Sequence, residues 1–122
     1  MITEFGKAIR KIRIDTDQRL ADMAKLIGKS PAFISAVERG EKSPPQGFEE
    51  EIIAGYQLAE EVAQLLRNLA DASRKTFTVK PSSNLEREAA GLMARRMGSS
   101  FDALSKDDLE RIVSILKKRE GN

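Results

Sequence analysis

This chain of 122 residues contains neither cysteine nor histidine, so its chemistry falls to serine, carboxylates, lysine, arginine and one tyrosine. Zinc sites of the usual kind need thiolates or imidazoles, and Cys–His and Ser–His–Asp catalysis need the same groups. No nucleophile–base motif and no glycine-rich phosphate loop is present. The expectation is a protein that is not an enzyme, with no catalytic residue, no cofactor and no metal ligand. What remains is non-covalent chemistry. Lys29, Ser30, Ser35, Arg39 and Lys42 bring cations and hydroxyls into one short stretch, and such groups grip a polyanion.

The elements around that stretch read clearly. Leu20, Met23, Ala24 and Ile27 recur at i, i+3, i+4 and i+7, the stripe of an amphipathic helix. Gly28 ends it, since a helix C-terminus favours a residue that turns left-handed without a Cβ clash. Ser30 then Pro31 opens the next helix, as N-cap and first helical residue. Ile34 and Val37 face inward, and Gly40 closes it. Two helices at a steep angle joined by a Gly28-Lys29-Ser30 turn form a helix-turn-helix, the unit that places one helix in the DNA major groove.

The remaining sequence predicts a mostly α fold. Phe5, Ala8, Ile9 and Ile12 mark a first helix with Thr3 as N-cap, and Asp15-Thr16-Asp17 breaks it and caps the second. Residues 41–47 form a loop. Phe48, Ile52 and Tyr56 give a fourth helix, and Val62, Leu65, Leu66 and Leu69 a fifth, ending near Ser73. Residues 1–73 are thus expected as a five-helix DNA-binding domain. Beyond it, residues 75–80 alternate polar and apolar types and read as a strand. Ser83-x-x-Glu86 and Ser105-x-x-Asp108 have capping-box spacing and open two further helices. The 74–122 extension is therefore strand–helix–helix, too small for a good core of its own. It must pack on the first five helices or on a second copy. Phe77 and Val79 on the strand, with Leu109, Ile112, Val113 and Leu116 on the last helix, are its expected dimerisation residues.

Charge supports this division. The net of +2 is spread as +3 over residues 1–47, −5 over 48–73 and +4 over 74–122. A basic N-terminal region suits double-stranded DNA. Arg95-Arg96 and Lys117-Lys118-Arg119 read as solvated helix faces. No apolar run approaches the ~20 residues of a membrane span, and the N-terminus lacks the apolar core of a signal peptide. The expected compartment is the cytoplasm, with no membrane partner.

Residues Phe5 to Leu69 resemble the phage-repressor helix-turn-helix family of the Cro and CI type, also called the xenobiotic-response-element type. Met23-Ala24, Ile27-Gly28, Ser30, Ile34-Ser35, Val37-Glu38-Arg39-Gly40 and Pro44 carry the likeness. The resemblance implies a repressor-like domain whose third helix reads DNA. The family's base-reading positions fall here on Pro31, Ala32, Phe33 and Ala36, expected to face solvent. None can make the bidentate hydrogen bonds that distinguish G or A. Leu20 stands where the family often has a phosphate-binding Gln. Phosphate positioning then falls to Lys29, Ser30, Ser35, Arg39 and Lys42, with specificity from thymine methyl contacts and DNA shape. Glu38 is expected to bond within the domain.

The implied function is a sequence-specific transcription regulator, a repressor acting as a homodimer at an operator. The alternative is an antitoxin that binds its own operator and covers a toxin with Phe77, Val79, Leu92, Met93, Met97 and Phe101.

Overall fold

Thr3 starts the fold. Its Oγ1 accepts the Gly6 N–H at 2.9 Å, capping α1 (Glu4–Asp15). In the computed structural model, which describes residues 1–97 and 103–120, six more helices follow: α2 (Leu20–Ile27), α3 (Pro31–Glu38), α4 (Phe48–Tyr56), α5 (Glu60–Ala72), α6 (Asn84–Arg96) and α7 (Lys106–Glu120). The described residues are mostly helical and contain no strand.

The chain divides into two compact units, residues 1–78 and 79–122. In the first, Phe5, Ile9, Met23, Ile34, Phe48 and Ile52 are fully buried at the centre of the core. The rings of Phe5 and Phe48 meet edge to face, with centroids 6.0 Å apart. Gly28 caps α2 at φ +69, as its place after Ile27 requires. The start of α2 is set differently from expectation. Its N-cap is Arg19, whose N–H donates to Asp22 Oδ2 at 2.8 Å, while Asp17 turns the chain at φ +53. Asp22 reaching back from the first turn does the work expected of Asp15-Thr16-Asp17.

The buried face of α5 is also rotated. Ala63, Leu66 and Ala70 are buried, whereas Val62 and Leu65 are 44% and 57% exposed. Small alanines let α5 approach α1 and α4 closely, and a helix that is close on that face turns its larger residues outward. Residues 75–80 form no strand, and Phe77 and Val79 are 62% and 70% exposed. Alternation alone does not make a strand, because the backbone groups need a neighbouring edge. Thr76, Phe77 and Thr78 run instead beside the Ser43–Gly47 loop and line a shallow cavity with it.

Arg74 explains why the first unit extends past Ser73. Its Nε donates to Pro44 O at 2.9 Å, and its Nη2 to Pro45 O at 2.8 Å and to Glu49 Oε1 at 2.5 Å. It ties the end of α5 to the loop between α3 and α4.

In the second unit no described side chain is buried. Ser83 Oγ accepts the Glu86 N–H at 3.1 Å, and Ser105 Oγ accepts the Asp108 N–H at 3.1 Å, so both capping-box serines start their helices. Phe101 lies outside the described residues.

Candidate nucleic-acid interface

Helix α3 is held from behind and presents its N-terminal turn outward. Ser30 Oγ accepts the Phe33 N–H at 3.1 Å, and Pro31 occupies the first helical position. Ile34 and Val37 are buried. At the other end, the Glu38 carbonyl accepts the Thr3 N–H at 3.0 Å. Gly6 makes that contact possible, because a Cβ there would lie 2.2 Å from Glu38 O.

The Glu38 carboxylate locks the arrangement. Its side chain is 2% exposed. Arg13 Nη1 donates to Oε2 at 2.5 Å and Arg10 Nε to Oε1 at 2.9 Å. Arg13 Nη1 also lies 3.4 Å from Met23 Sδ. One buried carboxylate thus connects α1, α3 and the neighbourhood of α2, which agrees with the within-domain role expected of Glu38. The two arginines on α1 and Gly6 were not singled out in the sequence as partners of α3.

The outward face of α3 differs from expectation at Ala36, and Phe33 serves the core as well as the surface. Pro31 and Ala32 are exposed. Phe33 is half-buried, with its ring edge-on to Phe48 at a centroid distance of 6.1 Å. Ala36 is only 9% exposed. The chain turns back there, and the Ala36 carbonyl accepts N–H bonds from Glu41 at 2.9 Å and Lys42 at 3.3 Å. Ala36 is therefore not a solvent-facing position, and Phe33 packs partly against the core. The apolar surface left for a groove is Pro31, Ala32 and the outer edge of Phe33.

Polar groups lie before, along and beyond α3 beside that surface. Lys42 Nζ stands 5.4 Å from the Phe33 ring centroid, a cation–π contact. Ser35 accepts a hydrogen bond from Arg39 Nη1. Arg39 Nε donates to Glu41 Oε2 at 2.6 Å. That hydrogen bond first, and then the arginine's charge, hold the Glu41 carboxyl below the usual range. Lys29 Nζ lies 3.7 Å from Glu51 Oε1. Two of the three expected phosphate-binding cations are thus preorganised by acidic neighbours, and a phosphate must compete with those carboxylates.

The groups that could meet a polyanion accordingly come together: Lys29, Ser30, Ser35, Arg39 and Lys42 lie on or beside one short helix. Comparison with known protein families, curated proteins and solved structures finds no match. Among the described residues, no helix is long and apolar enough to cross a membrane.

Proposed function

We propose that this protein is a sequence-specific DNA-binding transcription regulator, a repressor that acts as a homodimer. The observation that carries the reading is the α2–Gly28–α3 unit, whose α3 exposes the small residues Pro31 and Ala32 in its first turn and carries Lys29 before it, Ser35 along it, and Arg39 and Lys42 at and beyond its C-terminus. Small residues let a helix approach a groove wall, while the rim neutralises phosphates. The resemblance to the Cro and CI type points the same way. Pro31 and Ala32 contact thymine methyls, and DNA shape supplies the rest of the specificity. A two-fold dimer reads half-sites about 34 Å apart.

Selection from random duplexes, followed by gel shift of the winners and of the gene's own upstream region, tests this. A short inverted repeat should emerge. Failure to retain any duplex at low salt defeats the reading.

A second reading is an antitoxin that also covers a protein partner. Leu85 and Leu92, exposed on one face of α6, and the exposed Met97 just after it favour it. Mixing the protein with the product of a neighbouring reading frame tests it, with a stable complex expected.

A further inference from the structure

Helix α7 carries both halves of its own complement. Leu109, Val113 and Leu116 are 38%, 48% and 60% exposed, and with the half-buried Ile112 they share one stripe. At 100° per residue, Glu110 and Lys117 flank that stripe on one side, and Asp108 and Arg119 flank it on the other. The acidic residues stand in the first turns of the helix and the basic ones in the last.

Two helices related by a two-fold axis across their length meet flank to like flank, end reversed. The reversal brings Lys117 of one copy to Glu110 of the other, and Arg119 to Asp108. We propose that α7 pairs antiparallel with α7 of a second copy of this chain, with the two-fold axis passing between Ile112 and Val113. In that register Leu109 stands level with Leu116 of the second copy, and Ile112 with Val113. Each opposite-charge pair occurs twice. Lys106, also on the Glu110 flank, is matched within its own chain by Glu110 at 3.9 Å. A parallel pairing would instead join opposite flanks at the same height, setting Glu110 against Asp108 and Lys117 against Arg119, and it is this flank pattern that decides orientation in paired helices.

The area sets the strength. Fifteen residues make a helix about 22 Å long, whose stripe covers less than the ~1,200 Å² at the lower end of stable dimers. The pairing is therefore a micromolar one, in which flank charges decide register. This inference rests on the homodimer part of the proposed function and is independent of DNA.

Because the chain has no cysteine, single cysteines report the register directly. Leu109→Cys and Leu116→Cys full-length proteins, mixed and oxidised, should give a disulfide-linked pair, and each alone should give about ten-fold less, since like positions lie roughly 10 Å apart along the axis. Sedimentation equilibrium on the full chain supplies the second arm. Glu110→Lys and Lys117→Glu should each weaken the dimer about ten-fold, and the double variant should recover to within about three-fold. Efficient cross-linking of Leu109→Cys with itself overturns the proposal. So does a double variant as weak as either single one, or a monomeric wild type at about 100 µM, a concentration well above micromolar dissociation. Gel shifts on the same preparations keep the two proposals apart. A dimer with this register that ignores DNA defeats only the regulator reading.

Discussion

Replacing Glu38 with alanine should come close to unfolding the first unit. The Glu38 side chain is 2% exposed and that of Arg13 11%, so the ion pair between them is shielded from water. Removing the carboxylate leaves the Arg13 guanidinium in place without a counter-charge, its Nη1 3.4 Å from Met23 Sδ. An orphaned buried charge of this kind costs about 3–5 kcal/mol. Arg10, 39% exposed, can turn to solvent and adds at most ~1 kcal/mol. A small domain holds ~5–15 kcal/mol in all, so Glu38→Ala should lose a large share of its stability. Urea unfolding followed by far-UV circular dichroism reads the loss, since the chain has no tryptophan. Arg13→Met/Glu38→Met should recover much of it, because an apolar pair leaves no charge behind. If Glu38→Ala unfolds within about 0.5 kcal/mol of wild type, far below the range for an orphaned charge, the buried-pair reasoning is refuted.

Gly6→Ala should be severely destabilising, because the new Cβ meets backbone at 2.2 Å; thermal unfolding should show a large drop in midpoint. Arg74→Met should cost ~3 kcal/mol in the same urea assay by stranding Glu49, both side chains being 9% exposed. Burial alone would raise the Glu49 carboxyl, but hydrogen bonds from Arg74 and from its own backbone, with the arginine's charge, carry it below its ordinary value of 4.5. A depressed carboxyl contributes stability that is complete above the ordinary value and is lost as pH falls through the folded one. Wild type should therefore weaken below about pH 4.5 more steeply than Arg74→Met, as acid titrations of stability will show. Glu41→Gln should tighten DNA binding about three-fold by releasing Arg39 from a surface ion pair, whereas Arg39→Ala and Lys42→Ala should weaken binding to all sequences alike.

The parts of this molecule that are local in sequence were legible there. Thr3, Gly28 and Ser30-Pro31 act within one turn of where they stand, so residue type and spacing were enough to place the starts of α1 and α3 and the end of α2. Contacts between distant segments were not legible. Arg74 reaches back to Pro44, Pro45 and Glu49, and nothing in a one-dimensional pattern marks that distance. Gly6 left a signal that could have been used. A glycine inside a helix, beside the buried Phe5, costs ~1 kcal/mol relative to alanine and points to a close backbone approach. Ala36 illustrates the limit of helical periodicity. A wheel places it outward, yet it is only 9% exposed, and the residues after α3 turn back to bond its carbonyl. The strand expected at residues 75–80 had the composition of one and lacked a partner edge.

The central claim is that the surface around α3 meets the DNA backbone through its cations. The dependence of binding on salt tests it most directly. With Lys29, Arg39 and Lys42 from each of two copies on phosphates, six contacts give a slope of log K against log salt of about −5. Fluorescence anisotropy with a selected duplex, titrated at several salt concentrations, should return a slope near that value. Lys42→Ala should make it shallower by about two, one contact from each copy. A flat salt dependence, or a slope unchanged in Lys42→Ala, would contradict the account.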